Sequence, residues 1–388
     1  MVRIAYVGDF INHGKSLQTN GTAFVISLSA LKEVDSVDVF CPEENENVED
    51  FELPKKVKLY ESYRYDDSIS ILRLLKIRRY NYDTVIFNML PTGFGNRTLS
   101  NAIALIIPIT LKIIFRQGNI KLLYHNSIFT NDIRKLGYNS LFDKIRSFVL
   151  RLVERTLFKN VVTFLFLDIY KQRIDDSIGK NKLHVLNGRY LEAIATLYLN
   201  NMMDAELVET EETDIPTILM HGYWGPQKNI EVGLIALEKL KSRGVKFKLV
   251  ISGAINHHFP DYKRKFQELL HFYIDVIYAY LGPVSEKDIM KIFLKTSLLI
   301  LPYNTPGGHS GVLEQAMFFE LPTIAIDFPE YREQSMGNNN VILIKIDELR
   351  WEIIDKCLKT KSKNTIQVSR NLLECQKNIE YMLKTHAD

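Results

Sequence analysis

Cysteine is scarce in this chain: its 388 residues hold three, Cys41, Cys357 and Cys375, far apart and without C-x-x-C spacing. So few thiols cannot staple a chain of this length, and their use fits a reducing compartment. The first residues, Met1-Val-Arg-Ile-Ala-Tyr-Val-Gly8, lack the charged start, long apolar centre and small-residue cleavage site of a secretory signal, and read as a buried strand entering a turn. Long apolar runs are missing too. The longest, over 101–115, is interrupted by Pro108 and Lys112, and it falls short of the roughly 20 residues that cross a bilayer. Net charge is small, with 49 Lys and Arg against 46 Asp and Glu for a formal +3. That balance excludes a strongly basic nucleic-acid binder and an acidic tail protein.

What the chain does have is an ordinary globular composition, 46% apolar and 24% charged, sufficient for about two domains. The charge is unevenly spread. Residues 70–190 carry 20 Lys and Arg against 7 Asp and Glu, a balance of +13, whereas 1–69 and 191–388 are both net acidic.

Short β-branched runs alternate with helical periodicity along nearly the whole length, the pattern of parallel sheets covered by helices on both faces. The runs predict strands at 3–7, 37–40, 84–87, 121–124, 161–166 and 184–186, then at 217–220, 247–251, 276–280, 298–301, 323–326 and 341–344. Between the two sets, residues 200–214 are acidic and lack apolar periodicity, which marks a linker. The expected organisation is α/β, with two Rossmann-like doubly wound domains, and a ligand site at the carboxyl ends of their strands in the cleft that the two domains face.

Two loops at such strand ends carry chemistry. After 217–220 comes His221-Gly-Tyr-Trp-Gly-Pro-Gln-Lys-Asn229, followed by Ile230, Leu234, Leu237 and Lys241 at helical spacing, with Val232, Ile235 and Leu240 widening the stripe. Lys228 stands at the start of that helix, where an ammonium reaches over the strand ends without being buried and can serve as a point charge on a diphosphate. A solvated first-turn lysine is the alternative, although the helix dipole slightly disfavours it. The second loop, Pro302-Tyr-Asn-Thr-Pro-Gly-Gly-His-Ser-Gly311, places Gly307, Gly308 and Gly311 just ahead of a helix. Backbone that close to a ligand, with amides and a positive dipole end exposed, suits a phosphate. Glu314, one turn after Ser310, can accept hydrogen bonds from a ribose diol, or can merely complement the dipole.

Together, Gly222-Tyr-Trp-Gly-Pro-Gln-Lys228, Gly307-Gly-His-Ser-Gly-Val-Leu-Glu-Gln-Ala-Met317 with Pro322, and Asp327-Phe-Pro-Glu-Tyr-Arg-Glu333 resemble the donor-binding half of GT-B glycosyltransferases of the retaining family-four type, also called glycosyl transferases group 1. The resemblance is strong over 216–335 and weak before it. It implies an acceptor-binding domain over 1–199, the acidic linker 200–214, a nucleotide-sugar-binding domain over 215–365, and a last helix over 366–388 crossing back to the first domain. It further implies that Lys228 contacts the donor diphosphate and that Glu314, the second glutamate of the E-x7-E motif, binds the ribose. Gly222, Gly307, Gly308, His309, Ser310, Gly311 and Val312 fall in the donor and phosphate loops. In the first domain Gly21 matches the glycine loop after the first strand, and His125 matches the histidine that faces the donor sugar. The chain departs from the pattern where the first motif glutamate falls on Pro306, where Tyr223 and Gly225 occupy the usual arginine region, and where Glu320 replaces the glycine before the proline.

The expected activity is therefore a retaining hexosyl transfer from a nucleoside diphosphate sugar to a glycan or lipid-linked acceptor, without a metal. No D-x-D pair occurs, adjacent His257 and His258 with Asp261 read as a solvated loop, and the absence of G-x-G-x-x-G after the strand before Gly253 disfavours a dinucleotide dehydrogenase. Asn187-Gly188 reads as a turn. A sugar-nucleotide epimerase or phosphorylase, or a non-catalytic nucleotide-sugar-binding subunit, would fit the same residues.

The basic stretch bears on the acceptor. Arg73, Lys76, Arg78 and Arg79 interleave with Leu72, Leu74, Leu75 and Ile77. Lys144, Arg146, Arg151, Arg155 and Lys159 interleave with Ile145, Phe148, Val149, Leu150, Leu152, Val153, Leu157 and Phe158. Such helices either pack on a sheet with solvated cations or lie in a membrane interface. The expectation is peripheral contact with an anionic membrane from the cytoplasmic side; the basic residues interleave with aliphatics more than with aromatic stacking platforms for nucleic acid.

Overall fold

Runs of Val, Ile, Leu and Phe without polar interruption form strands that are buried on both faces, so each must be covered by helices on either side. The computed structural model describes residues 1–10, 16–43, 53–91, 93–95, 97–114, 118–130, 141–179, 181–186, 194, 197–198, 200, 207–209, 214–256, 259–306, 308–360 and 365–385. Asn187, Gly188, His257, His258 and Gly307 lie outside the described residues. The chain divides into two units, Met1–Ala195 together with Leu372–Asp388, and Thr196–Asn371.

The first unit runs β1 (Val2–Val7), α1 (Ser16–Ala30), β2 (Val34–Pro42), β3 (Val57–Tyr63), α2 (Ser68–Leu72), β4 (Thr84–Met89), α3 (Thr98–Ile113), β5 (Asn119–Tyr124), α4 (Leu141–Asn160), β6 (Val162–Leu165), α5 (Asp168–Ile178) and β7 (Leu183–Val185). Its seven strands form one parallel sheet in the order β3-β2-β1-β4-β5-β6-β7. The second unit runs β8 (Leu207–Glu209), β9 (Thr217–His221), α6 (Ile230–Ser242), β10 (Lys248–Ser252), α7 (Tyr262–Phe272), β11 (Ile277–Tyr280), α8 (Glu286–Leu294), β12 (Leu298–Leu301), α9 (Gly311–Phe318), β13 (Thr323–Ile326), α10 (Pro329–Gln334), β14 (Val341–Ile344), α11 (Trp351–Lys359) and β15 (Thr365–Gln367), and α12 (Val368–Lys384) follows. Its parallel sheet has the order β11-β10-β9-β12-β13-β14.

In both sheets the order reverses beside the first strand, between β1 and β4 and between β9 and β12. Crossovers leave in opposite directions at that point, and a crevice opens at the carboxyl ends of the two strands. The cores explain why the sheets hold. Val7, Phe87 and Leu122 pack with Leu105 and Leu150 in one unit, and Ile218, Leu249 and Ile300 pack with Leu234, Leu237 and Phe266 in the other. Each such side chain contributes about 1.5–3 kcal/mol by leaving water.

Three strands escape the hydrophobic pattern. Strand β3 lies at a sheet edge and leaves Lys58, Tyr60 and Glu61 exposed, so it has no continuous apolar run. Strands β8 and β15 are three residues each and pair antiparallel through Val208 and Ile366, inside the stretches read as acidic linker and domain end. Such a pair is too short to produce periodicity. Residues 73–79 form a 3-10 helix with Leu74 and Ile77 buried, and α3 continues past Pro108 to Ile113. Among the described residues no helix is long and apolar enough to cross a membrane.

One buried cation ties the chain's end to the first sheet. Lys121, in the middle of β5 and fully buried, donates from Nζ to the carbonyls of Met382 at 2.6 Å and Leu383 at 2.5 Å, the last turn of α12. A donor there satisfies carbonyls that a helix terminus leaves open, while burial pulls the ammonium down to about 8. Replacing Lys121 by Met should speed amide exchange in the last two turns of α12 about tenfold or more, with the exchange of β4 and β5 amides unchanged.

Candidate active site

The crevice beside β9 in the second unit is built by backbone that only glycine permits. The Gly222 carbonyl oxygen lies 1.9 Å from where a Cβ on Gly253 would stand, and Gly253 has φ +108. Both facts require glycine at 253. Trp224, fully buried, then locks the loop: its amide donates to Ala254 O at 2.7 Å and its indole Nε1 to Ser252 O at 2.9 Å. Pro226–Lys228 form one 3-10 turn that ends on Asn229 in the left-handed region, φ 44.

That turn lowers Lys228 onto Tyr303, at the end of β12. The ammonium sits 3.5 Å from the ring centroid, a cation–π contact, and the fully buried Tyr303 donates its hydroxyl to His221 O at 2.9 Å. Lys228 is thus half-buried, in contrast to the exposed position that its place at a helix start suggests, because an aromatic ring stands beneath it. Burial pulls its ammonium down to about 7. His221, whose Nδ1 is 2.8 Å from Ser252 Oγ, is pulled down to about 4, by burial and then by the charge of Lys228.

The second loop is tied to the first, since Asn304 donates its amide to Gln227 O at 3.1 Å. Gly308 has φ +105, and the chain then enters α9 with Ser310 as its cap, Oγ accepting from the Leu313 amide at 3.3 Å. Gln334 of α10 pins Ser310 from both sides, donating to its carbonyl at 2.8 Å and accepting from its amide at 3.1 Å. Tyr331, one turn earlier, donates to Pro306 O at 3.4 Å. Gly311 and Val312 are the first residues of α9. Glu314 is fully buried in the first turn, its Oε2 3.6 Å from His309 Nε2. Burial pulls His309 down to about 4, so at neutral pH its imidazole is neutral. The arrangement offers an enclosed ammonium, a helix start and a buried acceptor at neighbouring strand ends, which suits an anionic ligand with hydroxyl groups.

The crevice beside β1 holds the other predicted residues. His125 follows β5, with Nε2 2.7 Å from Asn88 Oδ1, and Asn88 Nδ2 donates to Tyr6 Oη at 2.7 Å. With the amide so oriented, His125 carries its proton on Nε2. Gly21 lies inside α1 instead of in a loop, and there a Cβ would come within 2.1 Å of Asp9 O and 2.7 Å of the Tyr6 hydroxyl. Gly21 therefore sets the approach of α1 to the turn after β1. Tyr65 closes this side by donating to Asp9 Oδ1 at 2.6 Å.

Tyr303, Gln334, Asn88 and Tyr6 are contributors that sequence reasoning missed. Asn88 was within reach, as a polar residue directly after the apolar run 84–87; nothing local distinguishes Gln334 or Tyr303. Among the described residues no group of three His, Cys, Asp or Glu is arranged to hold a metal.

Residues 205–364 match the family model described as glycosyl transferases group 1. No curated protein sequence matches the chain. Among solved structures it is similar to sucrose-phosphate synthase from Thermosynechococcus elongatus, at 13% identity and TM-score 0.66 over 98% of this chain and 95% of that one. It is also similar to WaaG, a glycosyltransferase involved in lipopolysaccharide biosynthesis, at 14% identity and TM-score 0.61 over 98% and 95%. Anabaena Alr3699/HepE, solved in complex with UDP-glucose, covers 100% of this chain and 96% of its own at 12% identity and TM-score 0.61. At these identities the structures bear on the fold, two doubly wound parallel-sheet domains of the GT-B type. The second unit thus carries the match to glycosyl transferases group 1 over most of its length, and the two sheets have the GT-B fold.

Proposed function

We propose that the enzyme is a retaining glycosyltransferase that moves a hexosyl unit from a nucleoside diphosphate sugar to a glycan or lipid-linked acceptor at an anionic membrane face. The observation that carries this reading is the enclosed Lys228 ammonium beside the capped start of α9, inside the residues matched by the family model. HepE, solved with UDP and with UDP-glucose, supports a uridine diphosphate sugar as the kind of donor. The retaining outcome rests on the resemblance of 307–317 to family-four enzymes.

In this reading the diphosphate meets Lys228 and the first-turn amides of α9, while Glu314 accepts from the ribose hydroxyls and Ser310, held by Gln334, keeps the loop in place. Gly307 falls within the phosphate loop by its position in the motif. As the glycosidic bond breaks, negative charge gathers on the leaving diphosphate. An ammonium in an enclosed site stabilises that charge more strongly in the transition state than in the ground state, which lowers the barrier. His125, oriented by Asn88, presents a polar edge for the sugar. The reaction as proposed calls on the chain's own positive groups and on no metal.

Helix α4 supports the membrane location. Its inward face buries Ser147, Leu150, Glu154, Leu157 and Phe158, yet the opposite face exposes Leu141, Phe142, Ile145, Phe148, Val149 and Leu152, with Leu141 74% and Phe148 64% exposed. At 100° per residue these six form one stripe, flanked by Lys144, Arg151 and Arg155 on one side and Arg146 on the other. An apolar stripe between cations matches a helix lying in an anionic interface, at about 1 kcal/mol per basic residue near the surface.

Lys228→Ala is expected to lower kcat by about 10²–10³ with the melting temperature preserved, and Glu314→Gln to weaken donor binding about tenfold or more; near-normal turnover in both would remove the proposed site. Because an anion raises the pKa of a neighbouring ammonium, donor binding above about pH 7 should take up a proton on Lys228 and weaken as the pH rises. Titration calorimetry in two buffers of different ionisation enthalpy would detect the uptake, and its absence from Lys228→Ala would assign it. Finally, the double variant Ile145→Glu, Phe148→Glu should no longer sediment with phosphatidylglycerol vesicles at low salt, whereas the parent protein should do so and be released by salt; equal sedimentation of the two would exclude the α4 face.

A further inference from the structure

The inward face of α4 carries one residue at odds with its neighbours. Glu154 is fully buried on the same stripe as Leu150 and Phe158. A carboxylate at such a position costs free energy unless several donors meet it, and four bonds do. Tyr124 donates its hydroxyl to Oε1 at 2.6 Å, Ser127 its hydroxyl to Oε2 at 2.9 Å, and the Ile128 amide is shared between both oxygens at 3.2 Å each.

These donors bracket His125. Tyr124 is the residue before it, and Ser127 and Ile128 stand two and three residues after it, across Asn126 with φ 54. Thr130 closes the turn, with its amide and hydroxyl both donating to Ser127 O, at 3.0 and 2.7 Å. The turn is thus wrapped around the carboxylate, while Asn88 holds the imidazole from the side of the sheet. We infer that Glu154 is a positioning residue of the transfer reaction, its carboxylate fixing the turn after β5 so that His125 is presented at the crevice beside β1. The inference rests on the proposed role of His125 in meeting the donor sugar.

The physical reason for an acid here is its capacity for acceptance. An ionised carboxyl accepts on both oxygens and donates nothing, which suits a turn that supplies two hydroxyl donors and an amide. Protonated, it must place one hydrogen against groups that are themselves donors, and the turn loosens. Burial raises its pKa to about 7, against the lowering effect of the hydrogen bonds and of Arg151. Among the described residues, the charged and titratable groups around it are Tyr124 of β5, Arg151 of α4 itself, and Arg173 of α5, which donates to Thr130 O at 3.3 Å. Lys112, the one ionisable residue of α3, is engaged with Gly118 O.

The test compares Glu154→Gln, Ser127→Ala and His125→Ala in the full chain, with UDP-glucose as donor probe for binding and the purified enzyme's transfer assay for turnover. Glu154→Gln should exchange the Ile128 amide about tenfold faster and lower kcat about tenfold while donor KM stays within about twofold. The acid limb of the parent's kcat profile, expected near pH 7, should vanish in Glu154→Gln and move to higher pH in Ser127→Ala, which takes a stabilising donor from the carboxylate. An unchanged Ile128 exchange rate, or an acid limb that stays in place in Ser127→Ala, would overturn the inference; if Glu154→Gln does not fold, Ser127→Ala and Tyr124→Phe carry the same pH test. Normal kcat in Glu154→Gln beside an inactive His125→Ala would overturn the positioning role alone, whereas full activity in both would overturn the role of His125 and this inference with it.

Discussion

The candidate site in each unit depends on the reversal of strand order beside the first strand of its sheet. Parallel strands joined by right-handed crossovers put all loops of one kind at one end, and only at the reversal do neighbouring loops part. Lys228 and Tyr303 come from the loops that follow β9 and β12, the two strands that flank one reversal. Tyr6 and Asn88 come from β1 and β4, the two that flank the other. Side chains more than 70 residues apart in sequence meet because the sheet leaves them nowhere else to go.

Burial then sorts the ionisable groups by what they meet. Lys121 and Lys228 both lose water, and burial lowers both. Lys121 donates to two backbone carbonyls, so its protons are used in holding α12. Lys228 meets the face of a ring, which attracts a cation but accepts weakly compared with a carbonyl, and a phosphate oxygen would be the better partner. The difference between the two lysines lies in the quality of the acceptor, since both are enclosed. Glu154 is the acidic counterpart of Lys121, a charge whose hydrogen bonds hold the backbone in shape.

Much of the scaffold was legible in the residues. Continuous β-branched runs mark the central strands because those are buried on both faces, and 298–301 and 323–326 end where the runs end. The edge strand β3 and the short β8–β15 pair were not legible, since β3 alternates with exposed polar residues and a three-residue ladder is too short to carry a hydrophobic signature. The glycine loops and Lys228 were visible as motifs, but the ring beneath Lys228 was not. Glu154 did leave a trace, an acid on an otherwise apolar helical stripe, which periodicity alone cannot distinguish from a solvated residue.

By itself, then, the sequence determined the class of fold, the strand ends that carry chemistry and the residue types offered there, because hydrophobic period, glycine and proline act locally. Only the tertiary structure decided that Tyr303 seats Lys228, that Gln334 pins Ser310 and that Glu154 gathers the turn around His125. Those contacts join residues from separate crossovers, and their worth comes from exclusion of water, a property of the packed whole that no window of sequence contains.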